Sequence, residues 1–205
     1  MKINRITSRV SLFILFAAIL GLSFGIKGKA SDREKSEYVS DSIVAIQDSL
    51  AFELAQIYGL DQGMRTSKGF KNKMRLIQCV DSSNFYRIFE FVKTHGMPSD
   101  KLLGKNNYKR ECVQSAFFAV MLHNPHMLVN NEEYLNFFAD LVEKGELGEG
   151  ILLTILDKYY WAKNSKRVMY GSQFGMPHID DKEKTNKARV EIGVKPLPDS
   201  LFIRH

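Results

Sequence analysis

Acid–base and anion-binding side chains are present in this chain, but none of the short signatures that organise them in common enzymes. Asp61, Gln62 and Arg65 fall within one helical turn. Residues four apart share a helix face, so Arg65 can act as an anion fork oriented by Asp61, or simply pair with it as a structural ion pair. His123 stands near the end of an apolar helical segment. There the helix dipole favours the imidazolium, which suits proton transfer and equally suits a capping or hydrogen-bonded core histidine. His126 completes an H-x-x-H with His123, but Pro125 breaks the helix between them, so the spacing is weak support for a metal pair and no metal is assigned. Asp157 interrupts the apolar run GILLTILDKYYWAK and must either find a partner, such as Arg189 or Arg167, or line a cavity. Tyr170 and Gln173 project from a short segment around Gly171, where a missing Cβ permits close backbone approach. There is no G-x-S-x-G, H-E-x-x-H, Gly-rich phosphate loop or C-x-x-C.

The elements needed to hold these residues can be read from periodicity. Ile43, Ile46, Leu50, Leu54, Ile57, Leu60 and Met64 recur at steps of three and four, which predicts one helical stripe from Asp41 with Asp61 on its inward side. A short helix follows over Lys71–Cys79. Asp81 then reads as the N-cap of a helix over Ser82–His95, closed at Gly96-Met97-Pro98. Met97–Gly104 reads as a turn-rich connection. Further helices are expected over Tyr108–Asn124, Glu132–Lys144 capped by Asn131, Gly150–Lys163 as the central one, and Asp181–Ile192. Arg167–Phe174 reads as a strand or hairpin, and a tail follows Gly193. Six or seven helices with little sheet make the class mainly α.

The N-terminus carries the clearest targeting pattern. Lys2, Arg5 and Arg9 precede an uncharged apolar run, Val10–Ile26, and small residues at Gly28 and Ala30 precede Ser31. This is the layout of a secretory signal peptide over 1–30, a flexible lead-in over 31–40 and a single helical domain over 41–205. An uncleaved membrane anchor is the alternative, because the run touches the lower limit of about 17 residues for a spanning helix. The protein is therefore expected in the periplasm or secreted, touching a membrane only if the segment stays uncleaved. Five of the 29 Lys and Arg and none of the 23 acids lie in Met1–Ala30, which leaves the remainder close to neutral. The basic isoelectric point thus belongs mostly to the signal and gives no support for a nucleic-acid partner. Cys79 and Cys112 are either a disulfide or two buried thiols.

Taken in order, Asp61-Gln62-x-x-Arg65, Asp81-x-x-Asn84, Gly96-Met97-Pro98-Ser99 with Gly104, His123, Asp157, Tyr170-Gly171-Ser172-Gln173 and Asn186-x-x-Arg189 with Gly193 resemble a bacterial group. It is the domain-of-unknown-function family 6624, with its DQxxR, GWPS, QH and YGTQ elements, and the resemblance covers about Ser42 to Leu197. Met97 stands for the family's Trp, Leu122 for the Gln before the His, Ser172 for Thr, and Lys158 for the Arg after Asp157. The resemblance implies a shared polar site and no named activity or cofactor. On this reading Asp61, Arg65, His123, Asp157, Tyr170 and Gln173 are expected to converge on one pocket, with Gln62 and Arg189 beside it. His123 would move a proton, Arg65 would hold an anion, and Tyr170 and Gln173 would donate hydrogen bonds. That describes a hydrolytic or transfer enzyme acting on a small or cell-envelope substrate. The alternative is a non-catalytic exported binding or interaction module whose polar residues form a structural network.

Overall fold

Seven residues separate Leu54 from Asp61, two turns of helix, and at this spacing the helix face drifts by only about 20°. Asp61 therefore inherits the burial of Leu54, and both are fully enclosed. Their helix, α1 (Asp32–Thr66), is the longest element of a computed structural model that describes residues 32–66, 68 and 73–204, with 32–38 as backbone only. The expected export signal lies outside the described residues. The chain divides into two units, Met1–Ser42 and Ile43–His205. In the first, Asp32–Ser42 is helical, whereas a flexible lead-in was expected over 31–40 and the helix only from Asp41. Everything below concerns the second.

Inside that unit only part of the expected α1 stripe faces inward. Ala51, Leu54 and Ile57 are buried, whereas Ile43, Ile46 and Leu60 are exposed. Leu60 follows Leu54 by six residues, which rotates it well away from the inward direction. α2 (Lys73–His95) runs unbroken through Asp81, which is thus not a cap. No glycine or proline between Cys79 and Asn84 gives the backbone cause to stop. The Asn84 amide donates to the Ile57 carbonyl at 3.2 Å and ties α2 to α1. Gly96, at φ 85°, ends the helix as expected, its N–H reaching the Val92 carbonyl at 2.8 Å.

The connection after it is made of short helices: α3 (Asp100–Leu103), α4 (Lys105–Tyr108), α5 (Glu111–Gln114) and α6 (Ala116–His123). The single helix expected over Tyr108–Asn124 is interrupted because Arg110 adopts extended backbone, φ −76° and ψ 128°. Pro125 opens α7 (Pro125–Val129) at the first helical position, where its missing N–H has no bond to lose. α8 (Glu132–Glu143) is capped by Asn131, whose side chain accepts from the Glu133 and Tyr134 amides. Phe85 and Phe89 of α2 meet Tyr134 of α8 edge-on, and Phe89 also meets Phe137 and Phe138.

α9 (Glu149–Lys163) is the central helix, packed on α6, α7 and α8, with Leu152 through Asp157 all buried. Beyond it the expected strand or hairpin over Arg167–Phe174 does not form. Among the described residues there is no strand, only isolated pairings of Ser172 with Gly175 and of His178 with Ile203. The physical reason is that Asp157 takes the Met169 and Tyr170 N–H groups that a sheet ladder would need. Gly171 and Gly175, at φ 82° and 129°, then reverse the chain at once. α10 (Lys182–Glu191) closes at Gly193, and the tail packs back through buried Val194, Leu197 and Phe202. Ten α-helices among the described residues make the protein mainly α, with more and shorter helices than the sequence suggested. Cys79 is exposed, Cys112 half-buried, and both are free thiols. No helix among the described residues is long and apolar enough to cross a membrane.

Candidate functional site

Asp61 is a carboxylate with no access to water, and its neighbours replace that water. Oδ1 accepts from Arg65 Nη1 at 3.0 Å and contacts His123 Nδ1 at 3.0 Å, while Oδ2 accepts from Gln62 Nε2 at 2.8 Å. An ionised carboxylate can only accept, so the His123 proton on this side belongs to Nδ1. That leaves Nε2 as the acceptor when the ring is neutral. α1 supplies the buried acid and α6, just before its end at Asn124, supplies the imidazole. The join between them is set by α6 stopping there.

Arg65 is less available than its sequence position implies. Nη1 also donates to the Asp61 carbonyl at 2.8 Å, and Nη2 donates to Asp81 Oδ1 at 2.7 Å. Lys73 Nζ in turn donates to the Arg65 carbonyl at 2.6 Å. The guanidinium is thus held by two carboxylates, the arrangement of the structural ion pair that was the alternative to an anion fork. Asp81, read from the sequence as a helix cap, is the second carboxylate. Its pairing with a residue 16 positions earlier left no periodic signal to find.

The His123 side chain is 29% exposed and lines an open cleft of about 460 Å³. Leu122, Pro125, His126 and Asn130 form one side of it and Lys158, Tyr159, Ala162 and Lys163 of α9 the other. Lys158 Nζ lies 4.8 Å above the Trp161 ring and 5.3 Å above Phe174, and Lys163 Nζ lies 4.4 Å above Tyr159. The sequence marked α9 as the central helix, and gave no sign that Tyr159, Ala162 and Lys163 would line a cleft, because the outward residues of an apolar helix look like ordinary solvation.

Asp157, Tyr170 and Arg189 form a different group. Asp157 is fully buried, and its Oδ1 accepts from the Met169 and Tyr170 amides at 2.7 and 2.8 Å. Oδ2 has no partner in hydrogen-bonding geometry. Burial pushes this carboxyl above the usual carboxylate range, opposed by the Tyr170 and Met169 amides, the Ser172 hydroxyl and the Gly171 amide. Arg189 is not the partner of Asp157, and neither is Arg167, which lies 3.7 Å from Asp181. Arg189 donates to the Lys195 and Tyr170 carbonyls at 2.7 and 2.6 Å, with Glu149 at 3.4 Å. Tyr170 is a buried aromatic plug beside Tyr160 whose phenol is pushed up by burial, with smaller contributions from Tyr160 and Asp157. Gln173 is exposed at the tip of the Ser172–Gly175 turn.

The structure therefore brings together Asp61, Gln62, Arg65 and His123, and separately Asp157, Tyr170 and Arg189. No hydrogen bond or ion pair among the described residues joins the two groups, and Gln173 belongs to neither. Among those residues no three His, Cys, Asp or Glu side chains are grouped to hold a metal ion. No protein-family model, curated protein or solved structure matches the chain.

Proposed function

We propose that this protein is an acid–base catalyst of hydrolysis or group transfer on a small or cell-envelope substrate, working from His123 at the cleft. The observation that carries this reading is the 3.0 Å contact between the fully buried Asp61 carboxylate and His123 Nδ1, on an imidazole whose edge lines the cleft. With Nδ1–H held by Asp61, Nε2 can take a proton from water or a substrate hydroxyl and return it to the leaving group. The carboxylate stabilises the imidazolium in between. Arg65 and Gln62 hold the Asp61 carboxylate in place through their contacts at 3.0 and 2.8 Å. The resemblance of the ordered motifs to family 6624 is part of the same proposal.

The non-catalytic reading keeps one specific support: Asp157 and Arg189 spend their bonds almost entirely on main-chain groups, as structural residues do. It applies to that half of the polar set. A single variant separates the readings at the cleft. His123→Asn, assayed on a panel of small chromogenic esters, amides and phosphate esters, is expected to lose any turnover shown by the native protein by about 100-fold or more. Its melting temperature should stay close to the native value. Surviving turnover, or a collapsed melt, contradicts the reading.

The proposal extends to export. The basic, apolar and small-residue order of Met1–Ala30 supports a cleaved signal delivering the protein to the periplasm or beyond. Protein recovered from the cell envelope should begin near Ser31 by intact mass; a full-length mass supports the anchor instead.

A further inference from the structure

Two cations of the cleft have no carboxylate partner. Lys158 and Lys163 line it from α9, and among the described residues neither forms an ion pair. Each ammonium instead rests on an aromatic face, Lys158 on Trp161 and Lys163 on Tyr159, and Lys163 also donates to the Tyr159 hydroxyl at 3.1 Å. Such contacts fix the position of a cation without neutralising it, and leave N–H groups to offer a ligand. Among the described residues no acidic side chain lines the cleft, and His126 adds a second polar ring beside His123. Its walls also include the apolar surfaces of Leu122, Pro125 and Ala162. A volume of about 460 Å³ falls in the range of small-molecule sites. With Arg65 engaged by Asp61 and Asp81, the cleft offers a second set of cations for an anion.

We propose that this cleft binds a small organic anion, a phosphate ester or a carboxylate on an aromatic or short apolar body. Its head is met by Lys158 and Lys163, and its reacting group is turned toward His123. The proposal rests on His123 as the reacting group and adds the class of molecule it serves. The charge balance of the lining favours an anion over a neutral or cationic compound of the same size. The apolar walls favour an organic body over inorganic phosphate alone.

The test is equilibrium binding of phenyl phosphate, benzoate, inorganic phosphate, benzyl alcohol and benzylamine, followed by the His123 and His126 imidazole resonances. At least one of phenyl phosphate and benzoate should bind more tightly than the alcohol, the amine and inorganic phosphate, and the tighter of the two identifies the head group. In Lys158→Gln/Lys163→Gln that binding should weaken at least about fivefold, the loss of two partly exposed charge contacts. The melting temperature should hold, because neither ammonium is buried. The proposal is overturned if benzyl alcohol or benzylamine binds as well as the anions. It is equally overturned if the double variant binds as tightly as the native protein, or if neither organic anion binds at millimolar concentration. If it fails in any of these ways while His123→Asn still abolishes turnover, the acid–base reading stands alone. Lysine-dependent binding with turnover indifferent to His123 leaves a binding cleft and removes the catalyst.

Discussion

Two aspartates in this protein are equally hidden from water and are treated in opposite ways. Asp61 is surrounded by side chains: a guanidinium, an imidazole and an amide, one of which reaches an open cleft. Asp157 is held mostly by main chain, with two amides on one oxygen and the Ser172 hydroxyl and Gly171 amide nearby. Side-chain partners can move, exchange protons and meet a ligand. Main-chain partners can only fix the course of the chain. The comparison teaches that a buried carboxylate is not in itself a sign of chemistry; what its partners can do decides.

If the comparison is right, the largest loss of stability belongs to Asp157. Asp157→Ala strands two buried amides, each costing about 1–3 kcal/mol, so a loss of about 2–6 kcal/mol is expected in urea denaturation. Asp157→Asn keeps the acceptor at Oδ1 and removes the buried charge. Because burial raises the folded-state carboxyl above its unfolded value, the folded chain holds that proton more tightly. At this residue stability is gained as pH falls from the raised value to the ordinary carboxylate value, and lost as pH rises through the same window. Asp157→Asn should therefore be at least as stable as the native protein above that window, and lose its relative advantage below it. A native-minus-variant stability difference that does not change across acid pH contradicts the assignment.

Arg189→Met comes next. It leaves the Tyr170 and Lys195 carbonyls without their donor while keeping much of the side-chain volume, and a loss of about 2–3 kcal/mol is expected by the same denaturation. Near-native stability would remove Arg189 from the structural group.

Asp61→Asn should cost less, about 1–2 kcal/mol, since Arg65 keeps Asp81 as a partner and an amide at Asp61 still offers one acceptor. The smallest change in stability is expected for His123→Ala, under about 1 kcal/mol, because the ring is partly exposed and Asp61 retains Arg65 and Gln62. The two variants at the cleft should thus be mild in the melt and severe in any turnover, the reverse of those at Asp157 and Arg189.

The sequence carried this contrast only in part. Asp61 was legible as buried because helical periodicity sets it in line with Leu54, and His123 as helix-terminal because Pro125 follows. The helical class, the Gly96 stop and the Asn131 cap were legible because each is local chemistry. What was not legible required distance. Asp81 looked like a cap because its partner, Arg65, lies on another helix. Asp157 suggested an arginine because its actual partners are amides, which every residue but proline has and none advertises. The hairpin expected around Gly171 failed for the same reason, since a side chain captured the donors that a ladder needed. Lys158 and Lys163 were hidden among ordinary surface charges until the fold set them across from His123.

The central claim is that Asp61 holds the Nδ1 proton of His123 and leaves Nε2 bare at the cleft. Long-range proton–nitrogen correlation of the imidazoles, at a pH where His123 is neutral, reads the tautomer directly. The account requires a predominantly Nδ1–H ring in the native protein, shifting toward Nε2–H in Asp61→Asn. A native His123 protonated mainly at Nε2, or one whose tautomer is indifferent to Asp61, contradicts it.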